Sequence, residues 1–167
     1  MSLSLVADAH SQLRHDIVEL LKNIGFDEIL EAEDGLRAVD LALARKPNLI
    51  LLEAAPSACD GITAAEKISK RHPIPIILLA EAQTPVDFDR ARAAGVMDVV
   101  LKPFSAAQMI ASIELTLRHF EEISGLRREV ARLTESLEAR KLIERAKGLL
   151  IKQGLSEPDA YRRMQKL

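Results

Sequence analysis

The sequence predicts a doubly wound α/β domain on a five-stranded parallel sheet, followed by a long helical extension. Three observations carry this. Short apolar runs alternate with amphipathic helical patterns over the first hundred residues. Several of those runs are apolar at every position rather than at alternate ones. From about Ser105 the pattern turns helical and stays so. Strands covered on both faces read as continuous apolar runs, and repeated β/α units wind into a parallel sheet.

The β-like runs are Leu3–Ala7, Ile29–Ala32, Leu49–Leu52, Ile74–Leu79 and Asp98–Leu101. Helical patterns fall between them at about Gln12–Asn23, Leu36–Arg45, Ile62–Arg71 and Val86–Ala94. NLILL and PIIL are the clearest both-face strands. Asp60-Gly61 reads as a turn and helix start. In an open sheet of this kind the functional site lies at the carboxyl ends of the strands. Asp8, Glu53 and Lys102 end the first, third and fifth runs and should converge there.

Beyond Ser105 there is no proline until Pro158, and Gly125 is the one early break. Ile123, Leu126, Val130, Leu133 and Leu137 are spaced alternately by three and four, the seam of a short dimeric coiled coil. The alternative is one long amphipathic helix packed on its own domain. Arg140 and Glu144 occupy the next seam positions and end the apolar repeat. Leu142, Ala146, Leu149 and Leu150 then share a stripe, with Arg140, Lys141, Arg145, Lys147 and Lys152 mostly off it. Gly154 suits a left-handed helix stop, and Ser156 a cap for a second helix with Pro158 and Asp159 in its first turn.

The 167 residues are 48% hydrophobic but only 3% aromatic, with no Trp, so the core must be aliphatic. Net charge is −2, unevenly spread. Residues 1–125 hold 12 basic and 19 acidic side chains, and residues 126–167 hold 11 and 6. A net of −7 precedes a net of +5, so the C-terminal part is suited to an anionic partner. One cysteine, Cys59, excludes an internal disulfide framework and a thiolate zinc cluster, and reads as a small filler. His10, His15, His72 and His119 lack metal-like spacing and read as surface residues, so no metal site is expected. With no signal peptide and no stretch of roughly 20 apolar residues, a cytoplasmic protein without membrane contact is expected.

The pieces LVADAH, LILLEAAPSACDG, PIILLA and LKPF together resemble a two-component receiver domain, which is flavodoxin-like in fold, over residues 1–120. The resemblance implies phosphoryl transfer to an aspartate beside magnesium. That chemistry needs two acids on the first strand, a hydroxyl on the fourth, and the lysine. Here Glu53 stands at the phosphoacceptor position and Ala9 at the second acid. Ala80 replaces the hydroxyl, and Val99 the aromatic switch residue. Asp8 and Lys102 match. Magnesium binding and catalysis are therefore not expected, because losing a carboxylate removes both charge and a ligand. Glu53 has three readings: a plain ion pair with Lys102, a mimic of the phosphorylated state, or a poor phosphoacceptor whose longer side chain is out of line.

Residues 137–167 resemble the ANTAR domain, the RNA-binding module of antiterminator response regulators, after a coiled-coil linker at 121–136. The matching residues are Leu137, Arg140, Ile143, Ala146-Lys147-Gly148, Leu150, Ser156, Ala160, Tyr161 and Met164. That family dimerises through its coil and binds paired RNA hairpin loops to prevent a terminator from forming. Loops are read by stacking and by base-edge contacts. Tyr161 suits a stacking platform, or else core packing. Arg140, Lys141, Arg145, Lys147, Lys152, Arg162 and Arg163 suit phosphates and bases, or else a solvated face. The family's module has three helices, and two are legible here, so a partial module is expected. The expected function is RNA-binding antitermination by a homodimer with an unphosphorylated receiver, open to a regulatory protein partner. The alternative is a protein-interaction and dimerisation module with a pseudo-receiver and no RNA binding.

Overall fold

The structure, a computed structural model, describes residues 2–54 and 59–164, except the side chain of Met164. The chain divides into two units, residues 1–121 and 122–167.

The first unit runs β1 (Leu3–Ala7), α1 (Ser11–Asn23), β2 (Glu28–Ala32), α2 (Gly35–Arg45), β3 (Leu49–Glu53), α3 (Gly61–Ser69), β4 (Ile76–Glu81), α4 (Phe88–Ala93) and β5 (Val96–Lys102). It ends in the first turns of α5 (Ala106–Lys152). The five strands are parallel in the order β2-β1-β3-β4-β5. This is the doubly wound, flavodoxin-like arrangement expected from the sequence.

The unbroken apolar runs are explained by two cores. Leu5, Ile50, Leu52, Ile76 and Leu78 face one side of the sheet, with Ala38, Ala42, Ala64 and Ile68 of α2 and α3. Val6, Leu49, Leu51, Ile77 and Leu79 face the other, with Ile17, Val18 and Leu21 of α1 and Met109 and Ile113 of α5. Successive strand residues point to opposite faces, so both sets must be apolar.

Several boundaries shift by one or two residues from the sequence expectation, β5 for example running Val96–Lys102 rather than Asp98–Leu101, and two of the shifts have a plain cause. β4 begins at Ile76, not Ile74, because Pro75 has no N–H to give the ladder; only its carbonyl is used, accepting from Ile50 N at 3.0 Å. α4 begins at Phe88 rather than Val86, because Asp87 caps it, accepting from Arg90 N at 2.9 Å.

Asp60 caps α3 as expected. It accepts from Thr63 N at 2.8 Å and Thr63 Oγ1 at 3.0 Å and pairs with Arg90 at 3.3 Å. Burial pushes the Asp60 carboxyl pKa up, but the Thr63 and Arg90 contacts outweigh it and hold it below the ordinary 3.8. The stability this contributes is present above that ordinary value and is lost as pH falls through the lower folded value. Asp60→Ala should cost about 1–2 kcal/mol at neutral pH and less in acid, read from denaturant midpoints at both.

In the second unit α5 continues to Lys152 and is followed by α6 (Glu157–Met164). Gly125 does not break α5. Gly154, at φ +93°, stops it. Leu155 N donates to Leu150 O at 3.2 Å and Gly154 N to Ile151 O at 3.0 Å, the paired bonds of a Schellman stop. Ser156 then caps α6, its Oγ accepting from Asp159 N at 3.4 Å. Among the described residues no helix is long and apolar enough to cross a membrane.

Candidate functional site

Parallel strands ending at one edge bring Asp8, Glu53 and Lys102 together, 94 positions apart at the extremes. Asp8 closes the β1 end and is buried. Glu53 is the last residue of β3, and Lys102 the last of β5. Lys102 Nζ lies 2.7 Å from Asp8 Oδ2 and 3.0 Å from Glu53 Oε1. Glu81, the last residue of β4, adds a third carboxylate at 3.6 Å.

The remaining oxygens are also engaged. Glu53 Oε2 accepts from Ala9 N at 2.9 Å, and Asp8 Oδ1 from His10 N at 2.8 Å. The loop after β1 therefore holds both carboxylates in place through its backbone. Ala80 is buried at the end of β4 and opposes Leu101, offering no hydroxyl. Burial pulls the Lys102 pKa down, yet pairing with Asp8 and Glu53 prevails and holds it above the ordinary 10.5.

His10, read from sequence as a surface residue, belongs to this cluster. Its ring is largely exposed, but Nδ1 turns inward to within 3.4 Å of Asp8 Oδ1 and 3.8 Å of Glu53 Oε1. Sequence reasoning missed Glu81 as well. The available signal for both was position: each lies at or just past a strand end that also carries a site residue.

The candidate RNA-facing residues lie in the second unit. Arg140, Lys141, Arg145, Lys147 and Lys152 are on α5, and Tyr161, Arg162 and Arg163 on α6. Three are engaged within the unit. Lys141 pairs with Glu138 at 2.7 Å, Arg162 with Asp159 at 3.1 Å, and Lys147 with Glu157. The last pair ties the first turn of α6 to α5 and raises the Lys147 pKa while lowering that of Glu157, chiefly through their hydrogen bond. Arg140, Arg145, Lys152 and Arg163 are exposed and carry no ion pair among the described residues. Tyr161 is 54% exposed, whereas its neighbour Ala160 is buried. Met164, the last matching position, has its side chain outside the described atoms.

The seam residues Ile123, Leu126, Val130, Leu133 and Leu137 are between 41% and 68% exposed, an apolar line along α5 facing solvent.

Comparison with known proteins matches the two segments of the chain that carry these residues to known families. Residues 4–114 match the response regulator receiver domain, and residues 131–167 the ANTAR domain. The chain is 42% identical over 163 residues to the transcriptional regulatory protein PdtaR of Mycobacterium tuberculosis, covering 97% of this chain and 80% of that protein. It is 34% identical over 118 residues to the probable transcriptional regulator ycf27 of Galdieria sulphuraria, covering 71% of this chain and 46% of that one. Among solved structures, the N-terminal domain of a response regulator/sensory box/GGDEF protein from Carboxydothermus hydrogenoformans aligns with TM-score 0.67 at 22% identity, over 74% of this chain and 99% of that one. Vibrio cholerae CheY4 aligns with TM-score 0.63 at 19% identity, over 70% and 98%. These last two likenesses speak to the fold alone.

Proposed function

The chain belongs to the response regulators that join a receiver domain to an ANTAR domain, and we propose that it is a cytoplasmic RNA-binding antitermination regulator whose receiver takes no phosphoryl group. It works as a homodimer through α5, by binding rather than by catalysis. The observation that carries the RNA reading is the pairing of an exposed Tyr161 with four exposed basic side chains that have no ion pair among the described residues, all on the ANTAR-matched segment. Exposed guanidinium groups and an aromatic ring on a helix pair suit splayed loop bases and phosphates.

The receiver reading rests on the strand-end cluster. Both oxygens of Glu53 are held, one by Lys102 and one by Ala9 N, so attack on a phosphoryl donor would first cost those bonds. The magnesium ion of a phosphorylatable receiver does not fit these residues. Ala9 supplies no carboxylate, and the Lys102 ammonium already sits on Asp8 Oδ2. The cluster acts as a fixed structural lock on four strand ends, and output is set by RNA and by a protein or chemical input.

The test is binding of the full chain to paired RNA hairpins against a scrambled control, across a salt series. Arg145→Gln should weaken binding by about 1–3 kcal/mol, and each lost phosphate contact should lower the salt slope by about 0.7–0.9. Equal affinity for hairpin and scrambled RNA would sink the reading. The exposed seam favours the second reading, a dimerisation and protein-interaction module, in that event.

A further inference from the structure

We propose that Gly148 is a notch in α5 that lets the sugar–phosphate backbone of RNA lie directly against the helix, held between Arg145 and Lys152. This placement rests on the RNA reading above and names where on the chain the RNA backbone sits. Gly148 lies inside a continuous helix, in the segment that matches the ANTAR domain. Glycine is a poor choice there, because it loses more backbone freedom on folding than alanine does. Neither of its usual structural reasons holds at this position. Its φ is not in the left-handed region, unlike those of Gly25, Gly95 and Gly154. A Cβ at Gly148 would meet nothing within 4 Å among the described residues, so no packed neighbour excludes a side chain. At Gly35 and Gly61, by contrast, a Cβ would run into the backbone of Cys59 and of Glu53. What is left is the close approach of a ligand to the backbone.

The surroundings say what approaches. Lys141, Arg145, Gly148 and Lys152 are spaced by four, three and four, which sets them on one face of the helix. The face is basic, and the glycine is the gap in it. Arg145 and Lys152 are exposed and carry no ion pair among the described residues. They stand about 10 Å apart along the axis, one on each side of the notch. Lys141 extends the stripe, although Glu138 holds its ammonium at 2.7 Å. Lys147, beside the notch, is paired with Glu157 of α6, so its charge is engaged within the helix pair. Glu144 is the one acid a turn away, and its charge acts on Lys147. A guanidinium and an ammonium flanking bare helix surface suit a phosphodiester chain, which a Cβ would hold at a distance.

Gly125 supplies the contrast. It lies in the same helix and is equally open. Its neighbours at the same spacing are Glu121, Glu122, Arg128 and Glu129, a mostly acidic set that repels an RNA backbone.

The test compares Gly148→Ala, Gly148→Gln and Gly125→Ala in the full chain, for RNA affinity and for melting temperature by circular dichroism. Each change replaces glycine by a better helix former, so each variant should melt at or above the parent. Gly148→Ala should nevertheless weaken binding about tenfold, and Gly148→Gln further. Paired hairpins and scrambled RNA should lose by similar factors, because a backbone contact carries no sequence information. Gly125→Ala should leave both affinities unchanged. A chain that melts higher and binds worse separates a blocked contact from a damaged fold. Unchanged affinity in both Gly148 variants would overturn the notch and leave the RNA reading standing. So would a lowered melting temperature, which would make Gly148 a requirement of the fold, or a loss confined to hairpins, which would make it a base contact. Dissociation of Gly148→Ala in light scattering would make the notch a seat for a second copy of the chain instead. A parent that binds neither RNA sinks the notch and the RNA reading together.

Discussion

Lys102→Met should lower the stability of the receiver unit by about 3–5 kcal/mol, among the largest effects expected of any single change in this chain. The reason is what it leaves behind. Asp8 is buried and Glu53 nearly so, and both carboxylates point at the position the ammonium vacates. Without it two like charges face each other in a low-dielectric strand edge, with Glu81 close by. Removing one partner of a buried pair costs far more than the pair contributes net, because the survivor is stranded. Lys102→Met with Glu53→Gln should recover part of the loss, since it removes one of the stranded charges. The pH dependence has a definite sign. The folded Lys102 pKa lies above the ordinary 10.5, so its contribution is fully present below that value and is lost as pH rises through the higher folded one. Urea midpoints of parent and variants at neutral and strongly alkaline pH check all of this. A loss under about 1 kcal/mol would show the cluster to be an ordinary surface pair.

A double change in the coil, Val130→Lys with Leu133→Lys, should dissociate the proposed homodimer and cut affinity for paired RNA hairpins by about a hundredfold or more. Each hairpin contact would then be made by a separate chain, and the gain from tethering two binding units, on the order of 10²–10⁴, disappears. Val130 and Leu133 are 63% and 49% exposed on α5 and lie at consecutive seam positions. Lysines there would meet like charges across a parallel seam, which disfavours pairing without disturbing the single helix. Light scattering gives the oligomeric state, and titration with single and paired hairpins gives the affinity. Affinity for a single hairpin should be nearly unchanged, which separates lost avidity from lost folding.

Much of the architecture was legible because burial on both faces leaves an unmistakable sequence trace. Leu49–Leu52 are apolar at every position, and the structure sets Leu49 and Leu51 in one core and Ile50 and Leu52 in the other. Asp60 and Gly154 were legible because caps and helix stops depend on local chemistry. The convergence of Asp8, Glu53 and Lys102 followed from topology, since parallel strands must end on the same side. What escaped notice depends on directions that no periodicity encodes. Glu81 reaches Lys102 because β4 runs as far as its neighbour. His10 reaches Glu53 because the loop after β1 turns its ring inward, 43 positions from its counterpart. The long helix was legible in the sustained helical pattern after Ser105, and only the break read at Gly125 did not appear, because the penalty for glycine, about 1 kcal/mol, is small against the rest of a helix this long.

The two units carry opposite electrostatic characters for physical reasons that match their proposed tasks. The receiver gathers carboxylates at its strand ends and binds them to one lysine. The second unit satisfies part of its basic set internally, through Lys141, Lys147 and Arg162, and leaves Arg140, Arg145, Lys152 and Arg163 to solvent.

The most direct measurement of this account is the affinity of the full-length chain for paired RNA hairpins with and without a small acyl phosphate donor and magnesium. The expected result is specific binding, well above that for scrambled RNA, with the same dissociation constant in both conditions and no change in intact mass. Binding that appears only after donor treatment, with a phosphoryl adduct abolished by Glu53→Ala, would contradict it.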